Sequence, residues 1–293
     1  MFDIESIACP ASLSQAIAAL QADPQAIVIA GGTDVLIKIR EGKYAGCRLV
    51  SIRDIPELQG ISRDEAGHIH IGPLTTFSQL AASPLIMDNV PVLGRAADTV
   101  GGPQIRAMGT IGGNISNGVT SADTASTLLN LEAELTLEGP KGRRKLKVND
   151  YYTGPGRVCL EPGELLTDIC LRRENFQGWG GCYIKYAMRN AMDIATLGTS
   201  CLVRLLEAQP AVIQQVRLAF GVAAATPMRA YKTEAALAGL TLIQAQNLIA
   251  ALVREEISPR TSWRASREFR LQIAGENAVR SLREAYIEAG GEV

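Results

Sequence analysis

Two glycine-rich motifs are the segments of this sequence best suited to bind an anionic ligand. The first is IVIAGGTDVL at 27–36, and the second is GTIGGNISNG at 109–118. Glycine has no Cβ, so paired glycines let consecutive backbone N–H groups converge on a phosphate in conformations with φ > 0. Thr33 and Thr110 add side-chain hydroxyls at the rim of each motif. The motifs predict either two tight turns or two loops that together hold a pyrophosphate.

Other motifs for nucleotide, metal or catalytic chemistry do not occur. There is no G-x-G-x-x-G, and the only Gly-Lys dipeptide, at 42–43, precedes Tyr44 instead of the Ser or Thr of a P-loop. The six cysteines form no C-x-x-C pair, and the only histidines are His68 and His70. We therefore expect no metal ligand and no catalytic acid, base or nucleophile. We expect most cysteines to be small core residues and both histidines to be exposed and without a role.

Length and composition are typical of a globular protein with about two domains. The chain has 293 residues, and its Lys+Arg count of 29 against an Asp+Glu count of 30 gives a net charge of −1. Such a balance disfavours binding to nucleic acid or to an anionic membrane. The N-terminal residues do not resemble a signal peptide, and no apolar run reaches ~18 residues. The sequence predicts a cytoplasmic protein.

The elements around the glycine motifs can be predicted from capping residues and apolar periodicity. Ser12 and Gln15 form a capping box that starts a helix ending near Asp23, and the apolar run at 26–30 predicts a buried strand that stops at the first motif. Thr76 and Gln79 cap a second helix. Further strands are predicted at 48–52, 134–137 and 165–171, and a hairpin is predicted at 61–71. The stretch 101–123 is too rich in Gly, Ser, Thr and Asn to be expected to form a plain helix.

The C-terminal part of the chain has a different composition, and we expect a domain boundary near 175–180. A strand is predicted at 216–222, followed by helices at 241–256 and 265–289. The basic run at 141–145 is interpreted as a charged hairpin turn. Four arginines near Trp263 could form a face for a partner subunit or a solvated helix face: Arg260, Arg264, Arg267 and Arg270.

Three longer segments carry a family resemblance: AGGTDVL at 30–36, GPQIRAMGTIGGNISNGVTSAD at 102–123 and KYAMRNAMDIAT at 185–196. Together they resemble the FAD-binding subunit of the molybdenum hydroxylases, which include xanthine dehydrogenase and carbon monoxide dehydrogenase. The similarity runs the whole length, through FGVAAATPMRA at 220–230 and SWRASREFR at 262–270, and looks closest to the separate FAD subunit of bacterial xanthine dehydrogenases.

The resemblance implies an α+β fold in which a two-lobed FAD-binding domain of the vanillyl-alcohol-oxidase type precedes a small C-terminal α/β domain. The FAD-binding domain would span 1–176, with lobes of about 1–55 and 56–176, and the C-terminal domain would span 177–293.

The resemblance also implies which residues contact FAD. The first glycine motif would wrap the pyrophosphate and the second would approach it from the other lobe. Asp123 would hold polar groups of the cofactor, although this chain has Gly-Val-Thr-Ser-Ala at 118–122 where many relatives have Ala-Ser-Pro. Leu165, Ile184 and Lys185 would lie at its flavin and adenine ends. The complete implied set is Ile27, Val28, Ile29, Ala30, Gly31, Gly32, Thr33, Asp34, Gly109, Thr110, Ile111, Gly112, Gly113, Asn114, Asp123, Leu165, Ile184 and Lys185.

Three further polar residues in these segments could contact the cofactor or form structural salt bridges: Arg106, Arg189 and Asp193. The resemblance implies noncovalent FAD that takes electrons from [2Fe-2S] clusters on a small subunit and passes them to an acceptor, NAD being the expected one. A large subunit with molybdopterin would oxidise a purine such as xanthine or hypoxanthine. The assembly would be a heterotrimer or a pair of heterotrimers. Alternatives are a self-sufficient flavin oxidase, an assembly subunit with structural FAD, and a nucleotide-binding regulator without redox chemistry.

Overall fold

The amino-terminal lobe is built on a small parallel sheet. The computed structural model describes residues 2–292. The first elements are β1 (Ile4–Ala8), α1 (Leu13–Ala22), β2 (Ile27–Ile29), α2 (Val35–Arg40) and β3 (Cys47–Ser51). The three strands are parallel in the order β1-β3-β2. One face of α1 places Ala16 and Leu20 in a core with Val50 and Ile52.

Two details of this lobe differ from the sequence prediction. Ser12 caps α1 by accepting a hydrogen bond from the Gln15 N–H, but the Gln15 side chain accepts from the Ala11 N–H and not from Ser12, so the capping box is incomplete. The predicted strand at 26–30 is half-buried over Ile27–Ile29 and not buried. The reason is that β2 is an edge strand with a neighbour on one side only.

The second lobe packs helices on an antiparallel sheet. Its helices are α3 (Phe77–Ala82), α4 (Pro84–Asn89), α5 (Pro91–Asp98), α6 (Pro103–Met108), α7 (Ile111–Ser116) and α8 (Ala125–Asn130). Its strands are β4 (Ile61–Arg63), β5 (Ile69–Ile71), β6 (Glu134–Gly139), β7 (Gly142–Lys147), β8 (Tyr152–Gly154), β9 (Arg157–Val158) and β10 (Leu165–Leu171). The main sheet has the order β4-β5-β10-β6-β7, and β8 pairs with β9. Ile69 and Ile71 face the core, as the alternation predicted.

The stretch 101–123 does not form one plain helix, as expected, but it contains two short helices, α6 and α7, and the approach to α8. Pro103 occupies the first position of α6, where its missing N–H costs nothing, and Thr110 caps α7. These start signals outweigh the low helix propensity of the internal glycines.

The charged hairpin predicted at 141–145 is confirmed, since β6 and β7 form an antiparallel hairpin. Its turn lies at Pro140-Lys141, and the basic residues continue into β7. Each cation of the run has a glutamate partner. The pairs are Lys141 with Glu161, Arg143 with Glu138, Arg144 with Glu164 and Lys145 with Glu134.

The C-terminal part has its own sheet, covered by helices. Its elements are β11 (Gly180–Tyr186), β12 (Leu197–Leu206), β13 (Gln209–Gly221), β14 (Met228–Arg229), α9 (Tyr231–Leu237), α10 (Leu242–Glu256) and α11 (Arg267–Glu288). The sheet is antiparallel in the order β11-β12-β13-β14. Cys201 and Phe220 pack with Ile249 and Ala274 of the helices. Leu202 belongs to the core of the second lobe, so the sheet contributes to both cores.

The two predicted C-terminal helices are confirmed as α10 and α11, but β11 and β12 were not predicted. Most cysteines are core residues, as expected: Cys170 and Cys201 are buried, and Cys159 and Cys182 are half-buried and pack against the cores. Cys47 is half-buried and Cys9 is exposed. One further expectation is wrong. Arg270 is 2% exposed and donates hydrogen bonds to the Thr196 carbonyl at 3.1 Å and the Ser262 hydroxyl at 2.7 Å, so it belongs to no surface face. Among residues 2–292 no helix is long and apolar enough to cross a membrane.

Candidate functional site

The two glycine motifs lie against each other at the contact between the two amino-terminal lobes. A Cβ placed on Gly31 would lie 1.8 Å from the carbonyl oxygen of Met108 and 3.2 Å from the Cα of Gly109. Beside this contact, the Lys38 ammonium donates to the Asn117 side-chain oxygen at 2.7 Å. The structure therefore brings the two predicted motifs, which are far apart in the chain, onto one surface.

The first motif presents a run of backbone donors that no protein group uses. Gly32 has φ +75°, the left-handed conformation that favours glycine, at the turn between β2 and α2. Asp34 is exposed, and its side chain makes no capping hydrogen bond to α2. Within residues 2–292, no acceptor is paired with the backbone N–H groups of Gly31, Gly32, Thr33, Asp34 and Val35. Such consecutive free donors are suited to a phosphate or another anion.

The paired glycines of the second motif do not adopt positive φ. Gly109, Gly112 and Gly113 all have ordinary φ values, and within the motif only Gly118, at its end, has a positive φ, of +68°. The donors of its first turn are used internally: the Gly112 N–H bonds to the Pro73 carbonyl at 2.9 Å, and the Gly113 N–H bonds to the Thr110 hydroxyl at 3.1 Å. Gly112 is required for close packing, because a Cβ there would lie 2.7 Å from the Pro73 oxygen.

Asp123 is the centre of a buried polar network. Its carboxylate is 7% exposed and accepts hydrogen bonds from the Lys185 ammonium and the Tyr183 hydroxyl, each at 2.8 Å. Lys185 also donates to the Thr99 carbonyl at 3.0 Å. Burial raises the pKa of Asp123, while Lys185 and Tyr183 act in the opposite direction. A buried ion pair is strong only when the remaining donors and acceptors of both groups are hydrogen-bonded. Here the Thr99 carbonyl accepts a hydrogen bond from the Lys185 ammonium.

The position of this network follows from strand geometry. Tyr183 and Lys185 alternate along β11, so both side chains lie on the same face of the sheet, and Ile184 between them lies on the other. Asp123 comes just before α8. Sequence reasoning did not predict Tyr183 as part of the site. Its spacing of two from Lys185 in a strand was the signal that could have identified it.

The other predicted site residues lie in a hydrophobic core or take part in hydrogen bonds and salt bridges with protein groups. Leu165 is 4% exposed and packs in the core of the amino-terminal lobe. The Asn114 side-chain oxygen accepts from the Thr124 hydroxyl at 2.7 Å. Arg106 lies 3.1 Å from the Asp98 carboxylate, and Arg189 lies 3.9 Å from the Asp193 carboxylate. Both arginines thus take part in salt bridges.

The expectation that both histidines are exposed and without a role is wrong, because both are half-buried and hydrogen-bonded. His70 stands on the outer face of β5 between two carboxylates, with Nδ1 2.9 Å from Asp168 and Nε2 3.3 Å from Asp64. His68 accepts a hydrogen bond from the Arg173 N–H at 3.0 Å. In the described part of the chain, no group of three His, Cys, Asp or Glu side chains is arranged to hold a metal ion.

Family models match both parts of the chain. Residues 2–171 match the FAD binding domain in molybdopterin dehydrogenase. Residues 182–285 match the CO dehydrogenase flavoprotein C-terminal domain.

Individual relatives align over nearly the whole length. The xanthine dehydrogenase FAD-binding subunit of Escherichia coli O157:H7 is 40% identical over 294 residues, covering 100% of both chains. The carbon monoxide dehydrogenase medium chain of Hydrogenophaga pseudoflava is 31% identical over 280 residues, covering 94% of this chain and 95% of that one.

Solved structures share the whole fold. A chain of carbon monoxide dehydrogenase from Hydrogenophaga pseudoflava superposes with a TM-score of 0.92 at 28% identity, covering 98% of this chain and 99% of its own. A chain of quinoline 2-oxidoreductase from Pseudomonas putida 86 has a TM-score of 0.92 at 25% identity and covers 99% of both. The predicted α+β architecture is confirmed by these matches.

Proposed function

Because the chain belongs to the family of FAD-binding subunits of the molybdenum hydroxylases, we propose that its first glycine motif binds the pyrophosphate of a noncovalent FAD. The observation that carries the proposal is the run of five backbone N–H groups from Gly31 to Val35 that have no acceptor within residues 2–292. Two adjacent phosphates carry the acceptor oxygens that such a run requires. The donors present therefore fit the group.

The second motif has a different part in the proposed site. Five of its six backbone N–H groups from Gly109 to Asn114 already have acceptors, and only the Thr110 N–H has none within residues 2–292. We therefore assign to Gly109–Asn114 the role of a wall that closes against Gly31 and offers apolar and carbonyl surface to the cofactor. Thr110 and Asn114 keep that wall in place through their own hydrogen bonds. The strand residues Ile27 to Ala30 lead directly into the first motif and would line its base.

The buried network completes the proposed site on the side of the C-terminal sheet. Asp123 has two oxygens and uses each of them once, which leaves acceptor capacity for a donor on the cofactor. Lys185 balances the charge of Asp123, and Ile184 is half-buried beside it. The placement of Leu165 at FAD stays a prediction, since its side chain packs in the core.

The chain is a FAD-dependent oxidoreductase subunit. When bound, FAD would supply the redox chemistry, taking electrons from [2Fe-2S] clusters of a small subunit and passing them to NAD. The residues of this chain bind and orient the flavin, and we assign to them no role as acid, base or nucleophile. The network of Asp123, Tyr183 and Lys185 excludes water from one side of the site through its burial.

We propose a xanthine dehydrogenase type of assembly, in which a molybdopterin-binding large subunit oxidises a purine and a small subunit holds the clusters. The identity of 40% with a xanthine dehydrogenase FAD-binding subunit along the full length supports this choice over the other relatives. The assembly would be a heterotrimer or a pair of heterotrimers. Within this chain we place the domain boundary at 176/177, just before β11 begins at Gly180.

Titration of the purified chain with FAD tests the proposal. We expect saturable binding with one FAD per chain, detected by quenching of flavin fluorescence, and competition by ADP, which carries the same pyrophosphate. Reduction of the bound flavin by NADH tests the acceptor separately. Failure to bind FAD, either alone or with copurifying chains, would contradict the proposed function.

A further inference from the structure

Tyr183 is a half-buried residue of β11 whose hydroxyl is hydrogen-bonded to Asp123. Its hydroxyl lies 2.8 Å from Oδ1 of Asp123, while the Lys185 ammonium lies 2.8 Å from Oδ2. The two contacts come from one strand, β11, and hold both oxygens of the carboxylate. The plane of the carboxylate is therefore defined by two donors instead of one.

The phenol acts as a donor in this pair. Burial raises the pKa of Tyr183 well above its usual value of 10.0, and the neighbouring Asp123 acts in the same direction. The hydroxyl thus keeps its proton, and a carboxylate can only accept. A hydrogen bond to an ionised carboxylate is stronger than one between neutral groups.

The strand opposite Tyr183 leaves room for this arrangement. Gly198 on β12 pairs with Lys185 of β11. A Cβ placed on Gly198 would lie 2.9 Å from the Tyr183 hydroxyl oxygen, closer than two such atoms can pack. The glycine at this position therefore permits the phenol to reach Asp123.

We infer that Tyr183 is a positioning residue for FAD binding: its hydroxyl orients the Asp123 carboxylate so that its free lone pairs face the cofactor. The inference rests on the proposed function, because it assumes that Asp123 contacts FAD. It adds a residue that does not itself need to touch the flavin.

The test compares Tyr183→Phe with Tyr152→Phe. Tyr152 is a matched control because it is also half-buried and its buried hydroxyl has no hydrogen-bond partner among the described residues. The FAD dissociation constant of Y183F should rise about tenfold, as expected for loss of a hydrogen bond to a charged group, while that of Y152F stays within twofold of wild type. Equal dissociation constants for Y183F and wild type would overturn the inference.

A pH profile separates positioning from a general structural effect. The titratable groups that act on Asp123 are Lys185 and Tyr183, both on β11, and the Thr99 carbonyl faces Lys185 from the end of α5. Y183F removes one interaction that lowers the pKa of Asp123, so FAD affinity should begin to fall at a higher pH on acidification than in wild type. A parallel loss at every pH would contradict the inference.

Two more variants keep the result interpretable. Gly198→Ala should reproduce the weaker binding of Y183F because it displaces the phenol, and in Asp123→Asn the further change Y183F should have little effect. Full additivity of Y183F and D123N would overturn the inference. A wild-type chain that binds no FAD would overturn the proposed function and the inference with it, whereas normal binding by wild type and Y183F alike would overturn the inference alone.

Discussion

The Cα of Gly31 packs directly on the carbonyl of Met108, and any side chain at position 31 would meet that oxygen at 1.8 Å. The contact joins the first glycine motif to the second. Both partners are backbone, so neither can move aside by changing a rotamer. This is the geometric reason for a glycine at 31, where φ is ordinary, and it differs from the reason at Gly32, where φ is +75°.

Gly31→Ala should therefore separate the two motifs and abolish FAD binding, with a fall in the melting temperature of the FAD-free protein. Met108→Ala is the control, because it removes the side chain and leaves the carbonyl in place. We expect M108A to bind FAD within a few-fold of wild type in a fluorescence titration. Equal binding by G31A and M108A would contradict a role for the contact.

Gly32→Val should abolish FAD binding for a different reason, namely the left-handed backbone. Gly42 provides a matched control: its φ is +78°, and a Cβ added there would have no described atom within 4 Å, whereas at Gly32 the nearest atom belongs to Leu36 at 3.1 Å. The valine of G32V and that of G42V should each introduce about 1–3 kcal/mol of backbone strain. Only G32V should lose FAD, and loss in G42V as well would indicate a global defect.

Lys185→Met should destabilise the protein strongly, because it leaves the Asp123 carboxylate buried without its charge partner. Breaking a buried pair in this way costs about 3–5 kcal/mol, to be measured by urea unfolding. The double variant with D123N should recover much of the loss. Lys43→Met, which removes an exposed pair with Glu41, should leave the unfolding midpoint unchanged. A small effect of K185M would show that Asp123 is neutral in the folded protein.

His70 should give the protein a stability that depends on pH above about 6.5. Burial opposes protonation, but the hydrogen bonds to Asp168 and Asp64 prevail and raise the pKa of His70 above 6.5. The stabilising contribution is therefore fully present below pH 6.5 and is lost as the pH rises through the folded-state value. We expect about 0.5 kcal/mol, since the pair is partly exposed and screened.

The measurement for His70 is urea unfolding of wild type and His70→Gln at several pH values. The difference between them should shrink as the pH rises, and His68→Gln should retain the pH dependence of wild type. A difference that grows with pH would have the wrong sign for a raised pKa.

Local signals in the sequence predicted those elements whose capping residues and apolar periodicity lie within a short stretch of chain. Ser12 at α1, Thr76 at α3 and the apolar stripe of α10 are examples. The strand β12 was not predicted, because seven of its ten residues, beginning with Leu197, are buried on both faces and show no alternation.

Features that depend on long-range packing could not be read from local patterns. Gly112 was interpreted as a residue with positive φ, yet its purpose is the close approach of Pro73 from a distant part of the chain, which no local pattern encodes. Arg270 was placed on the surface because charged residues usually lie there, but its guanidinium donates to the carbonyl oxygen of the distant Thr196 as well as to that of the nearby Ala265. The partnership of Asp123 with Tyr183 likewise appears only after β11 and α8 are brought together.

The most direct test of the account is the visible absorption spectrum of the natively purified protein with its copurifying chains, followed by heat release and chromatographic identification of the chromophore. We predict FAD released without covalent attachment, one per chain, together with iron-sulfur and molybdenum signals from the partner chains. A colourless preparation that also fails to take up added FAD would contradict the central claim that the Gly31–Val35 donors hold a flavin pyrophosphate.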